Sequence, residues 1–287
     1  MAADTITTPG VLYVVATPIG NLADITFRAV DTLKQVRLIA AEDTRHSARL
    51  LHHYGIATPL VSLHEHNERE RVDRLLERLL QGESVALISD AGTPLISDPG
   101  YRLVAEVRRR GIPVVPIPGP SAIIAALSVS GLPTDRFCFE GFLPAKPGAR
   151  RARLQALRDE PRTLIFYESP HRICDTLRQM SEIFGSEREA VLARELTKRF
   201  ETIRGGAIGE LSAWVAGDRD QQKGELVLLV KGAGKRLPDQ GLDVDSARIA
   251  DILGAELPPR QAAELTAKIT GEKKNRLYRY IVDLDDR

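Results

Sequence analysis

Residues 85–100 read VALISDAGTPLISDPG, and this stretch predicts the fold of the first half of the chain. Val85–Ile88 is an apolar run of the kind that is buried in a parallel sheet. The residues after it are nearly all turn formers, whose glycines allow close backbone approach and whose prolines hold the loop in shape. Open α/β sheets bind ligands at such loops, although an ordinary strand-to-helix connection has the same ingredients.

The composition is that of a globular protein. The 287 residues are 43% hydrophobic and 28% charged, and this length predicts about two domains. The formal net charge is +1, so any attraction to nucleic acid must come from local patches. We expect no membrane span, no signal peptide and a cytoplasmic location. Cys138 and Cys174 lie far apart in apolar patterns and are expected to be buried, reduced thiols.

Two other predicted strands end in polar loops. Val11–Thr17 runs into a tight loop at 18–24 and then a helix capped by Asp24, a strand–loop–helix unit without the G-x-G-x-x-G of a dinucleotide site. Leu38–Ala41 runs into the sequence EDTR at 42–45. Two acids and an arginine at a strand end suit catalysis, but they suit an N-cap with a solvated first turn equally well.

The alternation of predicted strands and helices continues to about residue 230. A turn at 118–121 precedes a helix rich in small residues, and Phe137–Phe142 is expected to be the last strand of the first domain. Further strands are predicted at Thr163–Tyr167 and Ala190–Ala193. The tail has a purely helical pattern. The predicted division is an N-terminal α/β domain at 1–143, a second α/β domain at 144–235 and a C-terminal helical module at 236–287.

Basic residues concentrate in two places. Segment 143–158 carries lysine and arginine with no acid, and the part of the tail from Pro258 to Tyr280 has six basic residues against two acids. Each could be a solvated helix face or a phosphate-binding patch. The short helices of the tail suggest a helix-turn-helix module, with a helical cap or a dimer contact as the alternative.

No metal site is predicted. Five of the six histidines fall within about twenty residues of one another, but their spacing fits no zinc pattern. They are His46, His52, His53, His64 and His66.

Several motifs, in this order, resemble a known family: LYVVATPIGNLADITFRAV, AAEDTR, SDAGTPLISDPG, PIPGPSA, YESPHR and ARELTKRFE. They are similar to those of the tetrapyrrole-methylase-like (class III) S-adenosylmethionine-dependent methyltransferases. Within that family they look most like the ribosomal RNA small subunit methyltransferase I subfamily, from about Val11 through the helical tail. The resemblance implies two αβα domains with the cofactor cleft between them, S-adenosylmethionine as cofactor, and a homodimer.

The resemblance also implies a reaction and a partner, namely 2′-O-methylation of the ribose of a decoding-centre cytidine in the 16S ribosomal RNA of the small subunit. Corrin and haem methylases of the same superfamily carry a more glycine-rich first loop and a G-D-P-type second loop. Here residues 16–20 read ATPIG and residues 89–91 read SDA, which argues against a tetrapyrrole substrate. Carried over by position, the cofactor-binding residues are Ile19, Gly20, Asp90, Gly92, Thr93, Ser121, Ala122, Phe166 and Arg194.

Methyl transfer to a hydroxyl needs alignment of the reactants and invites a general base. The candidates are acids expected at strand ends: Glu42, Asp43, Glu168 and Glu195. Any of them could instead be a cap or an ion-pair partner. The residues expected to contact RNA phosphates are Arg45, Arg150, Arg151, Arg153, Lys198, Lys273, Lys274 and Arg276.

Three other functions remain open from the sequence. A corrin-pathway or diphthine-type methyltransferase would share the fold and the cofactor but would not need a basic tail. A non-enzymatic RNA-binding protein would explain the basic segments but not the loops. A nucleotide-dependent phosphotransferase is disfavoured because the chain lacks G-x-x-x-x-G-K-[ST].

Overall fold

The chain divides into two units, Met1–Ala233 and Gly234–Arg287. The structure is a computed structural model that describes residues 8–64, 68–234, 242 and 244–285. Its mixed α/β architecture, with a helical C-terminal part, confirms the predicted fold class. The first unit contains two sheets, which we call the first and second lobes.

The sheet of the first lobe is parallel throughout and five-stranded, in the order β3-β2-β4-β1-β5. All four residues of strand β2 and of the central strand β4 are buried, as expected for apolar runs covered by helices on both faces. The strands are β1 (Leu12–Val15), β2 (Leu38–Ala41), β3 (Leu60–Ser62), β4 (Val85–Ile88) and β5 (Val114–Ile117).

Helices follow these strands, as the sequence predicts. The cap of the first one differs from expectation, because Thr26 and not Asp24 accepts the N–H of Ala29, at 3.1 Å. Asp24 instead lies in a short 3₁₀ helix, Leu22–Asp24, that is capped by Asn21. The helices are α1 (Phe27–Gln35), α2 (Thr44–His53), α3 (Glu68–Leu80), α4 (Tyr101–Arg109) and α5 (Ala122–Val129).

The sheet of the second lobe is mixed and has the order β6-β7-β10-β8-β9. Its first strand corrects the sequence prediction: Phe137–Phe142 pairs in parallel with Thr163–Glu168 and so belongs to the second sheet, not the first. The sheets therefore do not follow the expected division at 143/144. The strands are β6 (Phe137–Phe142), β7 (Thr163–Glu168), β8 (Glu189–Arg194), β9 (Thr202–Ala207) and β10 (Leu226–Val230).

The two faces of the second sheet have different covers. One face packs on α6 (Pro147–Ala156), α7 (Ile173–Phe184) and α8 (Ile208–Gly217), with Phe166 fully buried among them. The other face receives α5 of the first lobe, through a cluster that includes Ile123, Ala126 and Leu127 together with Val227 and Leu229. The two lobes therefore share an apolar interface.

The described part of the second unit forms three helices, close to the positions predicted from the pattern: α9 (Val244–Glu256), α10 (Pro259–Thr270) and α11 (Lys274–Asp285). Its small core combines alanines with larger side chains from α11, a composition that lets short helices approach closely. The buried members are Ala250, Ala262, Ala263, Leu277 and Ile281.

The structure describes both cysteines and bears on the expectation of no membrane span. Cys138 and Cys174 are free thiols that pack at the edge of the second lobe's core and are half-buried, not buried throughout. Burial raises the pKa of both thiols, which suits inert packing residues. Among the described residues, no helix is long and apolar enough to span a bilayer.

A buried glutamate fixes the end of the 85–100 stretch. Gly100 is the N-cap residue of α4 and has no side chain to bond the first amides. Glu68, on α3, supplies the acceptor: its Oε1 lies 3.2 Å from the N of Gly100 and 3.3 Å from the N of Arg102. A neighbouring helix thus performs the capping that the local sequence lacks.

We expect Glu68→Ala to lower the free energy of unfolding by about 1–3 kcal/mol, because it leaves buried amides without acceptors. Urea denaturation measures the change. Glu70→Ala is the matched control, since this carboxylate on the same helix is 68% exposed and pairs with Arg74 at the surface; a change within about 0.5 kcal/mol is expected. Equal effects of the two substitutions would contradict the capping role.

Candidate functional site

A cleft of about 470 Å³ opens between the two lobes at the carboxyl ends of β1, β2 and β4. Both lobes contribute to its walls. The first lobe supplies Ile19, Glu42, Asp90, Ala91, Gly92, Thr93, Ile96, Ser97, Asp98, Ser121 and Ala122. The second supplies Phe142, Tyr167, Glu168, Ser169, Pro170, Ala193, Leu196, Gly224, Glu225, Leu226 and Val227.

The loops of the first lobe are bonded to one another. Thr17 and Gly92 exchange two backbone hydrogen bonds, of 2.9 and 3.0 Å, which join the loop after β1 to the loop after β4. The hydroxyl of Thr93 donates to the carbonyl of Pro120 at 3.1 Å, which adds the loop after β5. Three loops from different strands thereby form one wall.

Asp90 connects this wall to a fourth loop, the one after β2. Its Oδ1 accepts the backbone N–H of Asp43 at 3.0 Å. Asp43 itself caps α2, accepting the N–H groups of Arg45 at 2.7 Å and His46 at 3.3 Å, and these hydrogen bonds lower the pKa of its carboxyl. Of the candidate bases, Asp43 is therefore a helix cap and does not line the cleft. The neighbouring Glu42 does line it.

Strained backbone concentrates beside the cleft. Leu95 and Ser97, in the loop after β4, have φ of 75° and 68°. Glu195 and Thr197, in the loop after β8, have φ of 52° and 66°. Left-handed conformations at residues with a Cβ cost free energy and tend to occur where function requires an unusual chain path.

Glu195 is held in an ion-pair network. Its Oε1 accepts Lys198 Nζ at 2.8 Å and the N–H of Glu225 at 2.9 Å. Burial alone would raise the pKa of Glu195, but these hydrogen bonds and the charge of Lys198 lower it overall. Burial alone would lower the pKa of Lys198, but its hydrogen bonds to Glu195 and Glu225 raise it overall. Both groups are therefore kept charged, which suits a positioning role.

Two glycines make room for this network. Gly224 has φ of +80°, and a Cβ there would lie 2.3 Å from Oε1 of Glu195. Gly20, in the loop after β1, lies under the Lys198 side chain, where a Cβ would meet Cγ at 2.5 Å. The stem of Lys198 thus packs across from the second lobe onto the first.

Glu168 is fully buried and saturated with hydrogen bonds. Oε1 accepts the N–H of Ser169 at 2.7 Å and Arg172 Nε at 2.8 Å, and Oε2 accepts the hydroxyl of Thr176 at 2.6 Å. Arg172 also donates to the carbonyl of Leu143 at 3.0 Å. Glu168 therefore joins β7, α7 and the end of β6, and its geometry argues against a role as a general base.

The structure brings most of the expected cofactor residues together. Those in the cleft wall are Ile19, Asp90, Gly92, Thr93, Ser121 and Ala122. Gly20 is adjacent to the wall but lies beneath Lys198.

The other two placements differ from expectation. Phe166 points away from the cleft into the core of the second lobe, and its neighbour Tyr167 lines the cleft. Arg194 is buried, with Nη2 2.9 Å from the carbonyl of Phe200 and Nε 3.2 Å from Oε1 of Gln221, and Ala193 takes the lining position. Side chains alternate between the faces of a strand, so in each case the neighbouring residue is the one that lines the cleft.

The basic segment of α6 is less available for phosphates than its sequence predicts. Arg150 is buried, and its Nε donates to Oε1 of Gln179 at 2.7 Å. Arg151 pairs with Glu182 at 2.7 Å, and Arg153 pairs with Glu140. Arg150 is thus a core residue, while the other two are partly exposed but neutralised by acids distant in sequence.

The basic residues of the second unit are more accessible. Lys273 is exposed, and Lys274 is exposed while pairing with Glu264 at 2.6 Å. Arg276 pairs with Glu272 at 3.2 Å and is half-buried. Arg45, in the first turn of α2, is exposed as well.

The histidines that the structure describes do not form a cluster of metal ligands. Within the described ranges no group of three or more histidine, cysteine or acidic side chains is placed to hold a metal ion. His66 lies outside the described residues.

Three cleft residues were not singled out from the sequence. Asp98 is half-buried, and burial, reinforced by the charge of Asp90, raises the pKa of its carboxyl. Tyr167 faces Asp98, and burial followed by the charges of Asp98 and Glu225 raises its pKa to about 12. Phe142 packs against Tyr167 with the two rings tilted by 59° and their centroids 5.5 Å apart. Asp98 occurs in the sequence as one more turn former, and only the fold shows that it faces the cleft.

Residues 11–212 match the family model of the tetrapyrrole (corrin/porphyrin) methylases. The chain belongs to this methylase family. Residues 240–285 match a second model, the RsmI C-terminal HTH domain, which covers the helices of the second unit.

Curated relatives of this methylase are similar over nearly their whole length. "Ribosomal RNA small subunit methyltransferase I" from Pseudomonas aeruginosa is 60% identical over 94% of this chain and 95% of that protein. The protein of the same name from Escherichia coli O157:H7 is 56% identical over 96% of this chain and 95% of its own length.

Two solved structures share the fold. Cobalt precorrin-4 methyltransferase aligns with a TM-score of 0.58 at 16% identity, over 77% of this chain and 94% of that one. Diphthine synthase aligns with a TM-score of 0.56 at 15% identity, over 77% of this chain and 90% of that one. At such low identity these likenesses show the fold alone.

We expect Gly224→Ala to destabilise this methylase by about 1–3 kcal/mol, because it places a Cβ at a left-handed position against Glu195. Thermal unfolding followed by circular dichroism measures the change. Gly148→Ala, in α6, meets nothing within 4 Å and is the control; it should be neutral or stabilise by less than about 1 kcal/mol. A neutral Gly224→Ala would show that the Glu195 loop adapts freely.

Proposed function

We propose that this protein transfers a methyl group from S-adenosylmethionine to the RNA of the small ribosomal subunit, at the ribose 2′-hydroxyl of a decoding-centre cytidine. The observation that carries the proposal is full-length similarity. Relatives named for small-subunit ribosomal RNA match both the two-lobed unit with its cleft and the helical second unit, at 56–60% identity.

The cleft fits S-adenosylmethionine in size and chemistry. Its volume lies within the ordinary range for small-molecule sites, roughly 300–1,000 Å³. Apolar walls from Ile19, Leu196 and Val227 suit a flat adenine ring, and carboxylates such as Asp90 suit an ammonium group and ribose hydroxyls. When bound, the cofactor supplies a methyl group activated by a sulfonium charge.

The residues of the cleft have two tasks in such a reaction. The bonded loops around Thr17, Gly92 and Thr93 give the cofactor a wall that is already in place, which favours in-line alignment with the acceptor oxygen. Glu42 remains a candidate to take the proton of that oxygen, since it lines the cleft. The network of Glu195 and Lys198 positions the loop after β8, with Lys198 as a candidate for phosphate contact.

Binding of RNA should rest on local basic groups, because the chain as a whole carries a net charge of only +1. Arg45 on the first unit and Lys273 and Lys274 on the second are exposed and are our candidates. The match of the second unit to a helix-turn-helix domain supports an RNA-binding role for it. We further propose a homodimer acting in the cytoplasm.

The experiment that tests the proposed function maps ribose methylation by mass spectrometry on small-subunit RNA. The RNA is taken from cells that lack the protein and from the same cells with the gene restored. One 2′-O-methylated cytidine in the decoding centre should appear only when the protein is present. Identical maps in the two samples, or a methyl group on the base, would contradict the proposed reaction.

We also expect Lys273→Ala combined with Lys274→Ala to weaken RNA binding and to reduce its dependence on salt. If each lysine contacts a phosphate, the slope of log affinity against log salt should become shallower by about 1–2, and cofactor affinity should not change. Anisotropy of labelled RNA over a salt series, with calorimetry for the cofactor, provides the measurements.

The matched control removes the same charge from the second lobe. Arg178→Ala with Lys231→Ala breaks surface pairs with Asp175 and Glu189 and should leave the slope unchanged. Equal slopes for both double variants would show that the second unit does not provide the phosphate contacts.

A further inference from the structure

Helix α2 of the first lobe carries basic groups that have no part in the cleft itself. The helix begins directly after Glu42 and Asp43, and the segment from Thr44 to His64 contains no aspartate or glutamate. Five arginine and histidine side chains of the helix are exposed, and no ion pair among the described residues involves any of them. They are Arg45, His46, Arg49, His52 and His53.

These five side chains share one side of the helix, which we call the α2 face. At about 100° per residue they fall within an arc of about 120°. The opposite side of the helix, with Ser47 and Leu51, is buried. The burial pattern therefore presents all five groups to solvent together.

Cations on other helices of the first lobe are neutralised by acids close in sequence. On α3, Arg74 pairs with Glu70 at 2.7 Å. On α4, the carboxylate of Glu106 pairs with both Arg109 and Arg110. The α2 face differs, because its own helix supplies no acid to offset its charge.

Both ends of α2 are tied to loops of the cleft. Asp43 caps the start of the helix, and its N–H donates to Asp90 of the cleft wall at 3.0 Å. At the other end, the hydroxyl of Tyr54 donates to the carbonyl of Leu22, in the loop after β1. Glu42, directly before the helix, lines the cleft. The first lobe thus holds the α2 face in a fixed place beside the cleft.

We propose that the α2 face binds the phosphate backbone of the small-subunit RNA next to the nucleotide that enters the cleft, an inference that rests on the proposed function. It extends the candidate contact at Arg45 to a whole surface. RNA is a polyanion, and arginines that neutralise its phosphates gain affinity by releasing counterions. Guanidinium groups can bond a phosphate through two N–H groups, and guanidinium and imidazole planes both stack on unpaired bases. Arg45 and Arg49 therefore contact phosphates, and the histidines lie beside them.

The composition of the α2 face favours RNA over a protein as its partner. The centres of protein–protein interfaces are rich in apolar and aromatic side chains and poor in charged ones. Helix α2 exposes no large hydrophobic side chain, and its exposed groups are cations and imidazoles. A polyanionic strand is the occupant that matches this chemistry.

Arg45→Gln combined with Arg49→Gln is the decisive variant. Loss of two phosphate contacts should make the slope of log affinity against log salt shallower by about 1.4–1.8. Affinity for small subunits that lack the methyl group should fall by about 10–100-fold at about 0.1 M salt, and the difference should shrink toward about 1 M salt. Filter binding of labelled subunits over a salt series measures both effects.

Two readouts should not move in this double variant. Calorimetric affinity for S-adenosylmethionine should stay within about threefold, since neither arginine lines the cleft. The melting temperature should stay within about 2 °C, because both side chains are exposed.

Arg74→Gln combined with Arg109→Gln is the matched control. It removes the same charge from α3 and α4, which pack on the side of the sheet that carries Val85 and Leu87. Helix α2 packs on the other side, where Leu51 lies with Ile88. The slope for the control should equal that of the unaltered protein.

A second measurement leaves all five side chains in place. Ala48→Cys puts a thiol on the exposed side of α2, and a photocrosslinker attached to it should join the RNA within several nucleotides of the methylated cytidine. The unaltered protein, treated in the same way, gives the background from its two half-buried cysteines. Arg74→Cys is the distant control and should give no crosslink near that cytidine.

The outcomes separate the two proposals. Equal slopes for the two double variants, crosslinks from position 48 that reach only ribosomal protein or distant RNA, or a loss of binding that follows a changed oligomeric state would overturn the role of the α2 face. Each would leave the proposed function intact. Absence of methyl transfer to small subunits by the unaltered, cofactor-binding protein would contradict the proposed function, and the role of the α2 face with it.

Discussion

The pair of backbone hydrogen bonds between Thr17 and Gly92 is the constraint on which the cleft depends. The loops after β1 and β4 leave neighbouring parallel strands and have no regular structure of their own at this point. Without a mutual bond, each would need ligand or solvent to satisfy its amides. Bonded together, they form a short antiparallel bridge on which Thr93 and Asp90 extend the wall to the loops after β5 and β2.

The second lobe supports its side of the cleft by different means. Its loop after β8 is held by charge, through Glu195, Lys198 and Glu225, while the end of β7 is held by the buried carboxylate of Glu168. Removing one partner from a buried, hydrogen-bonded charge costs far more than breaking a surface pair. Several of the acids that first suggested catalysis thus serve architecture, while Glu42 and Asp98 line the cleft.

Local patterns were sufficient for much of the fold, and the failures came from contacts distant in sequence. The apolar runs Leu38–Ala41 and Val85–Ile88 predict two strands with their observed limits. Nothing local indicates that β6 pairs with β7, since strand partners are chosen by tertiary packing. Likewise, the sequence around Arg150 and Arg151 contains no acid. The fold nevertheless brings Gln179 to Arg150 and Glu182 to Arg151. Phe166 illustrates the limit of strand patterns, because alternation fixes which side chains share a face but not which face lies on the cleft.

The packing of α5 on the second sheet has a consequence for ligand binding. Ile123, Ala126 and Leu127 of the first lobe are buried against Val227 and Leu229 of the second, so the two walls are joined by an apolar interface beside the cleft. The chain passes from one sheet to the other only once within the described residues, between α5 and β6. The two walls of the cleft are therefore held together by packing within the protein itself, and a binding site that is already in place lowers the entropic cost of binding.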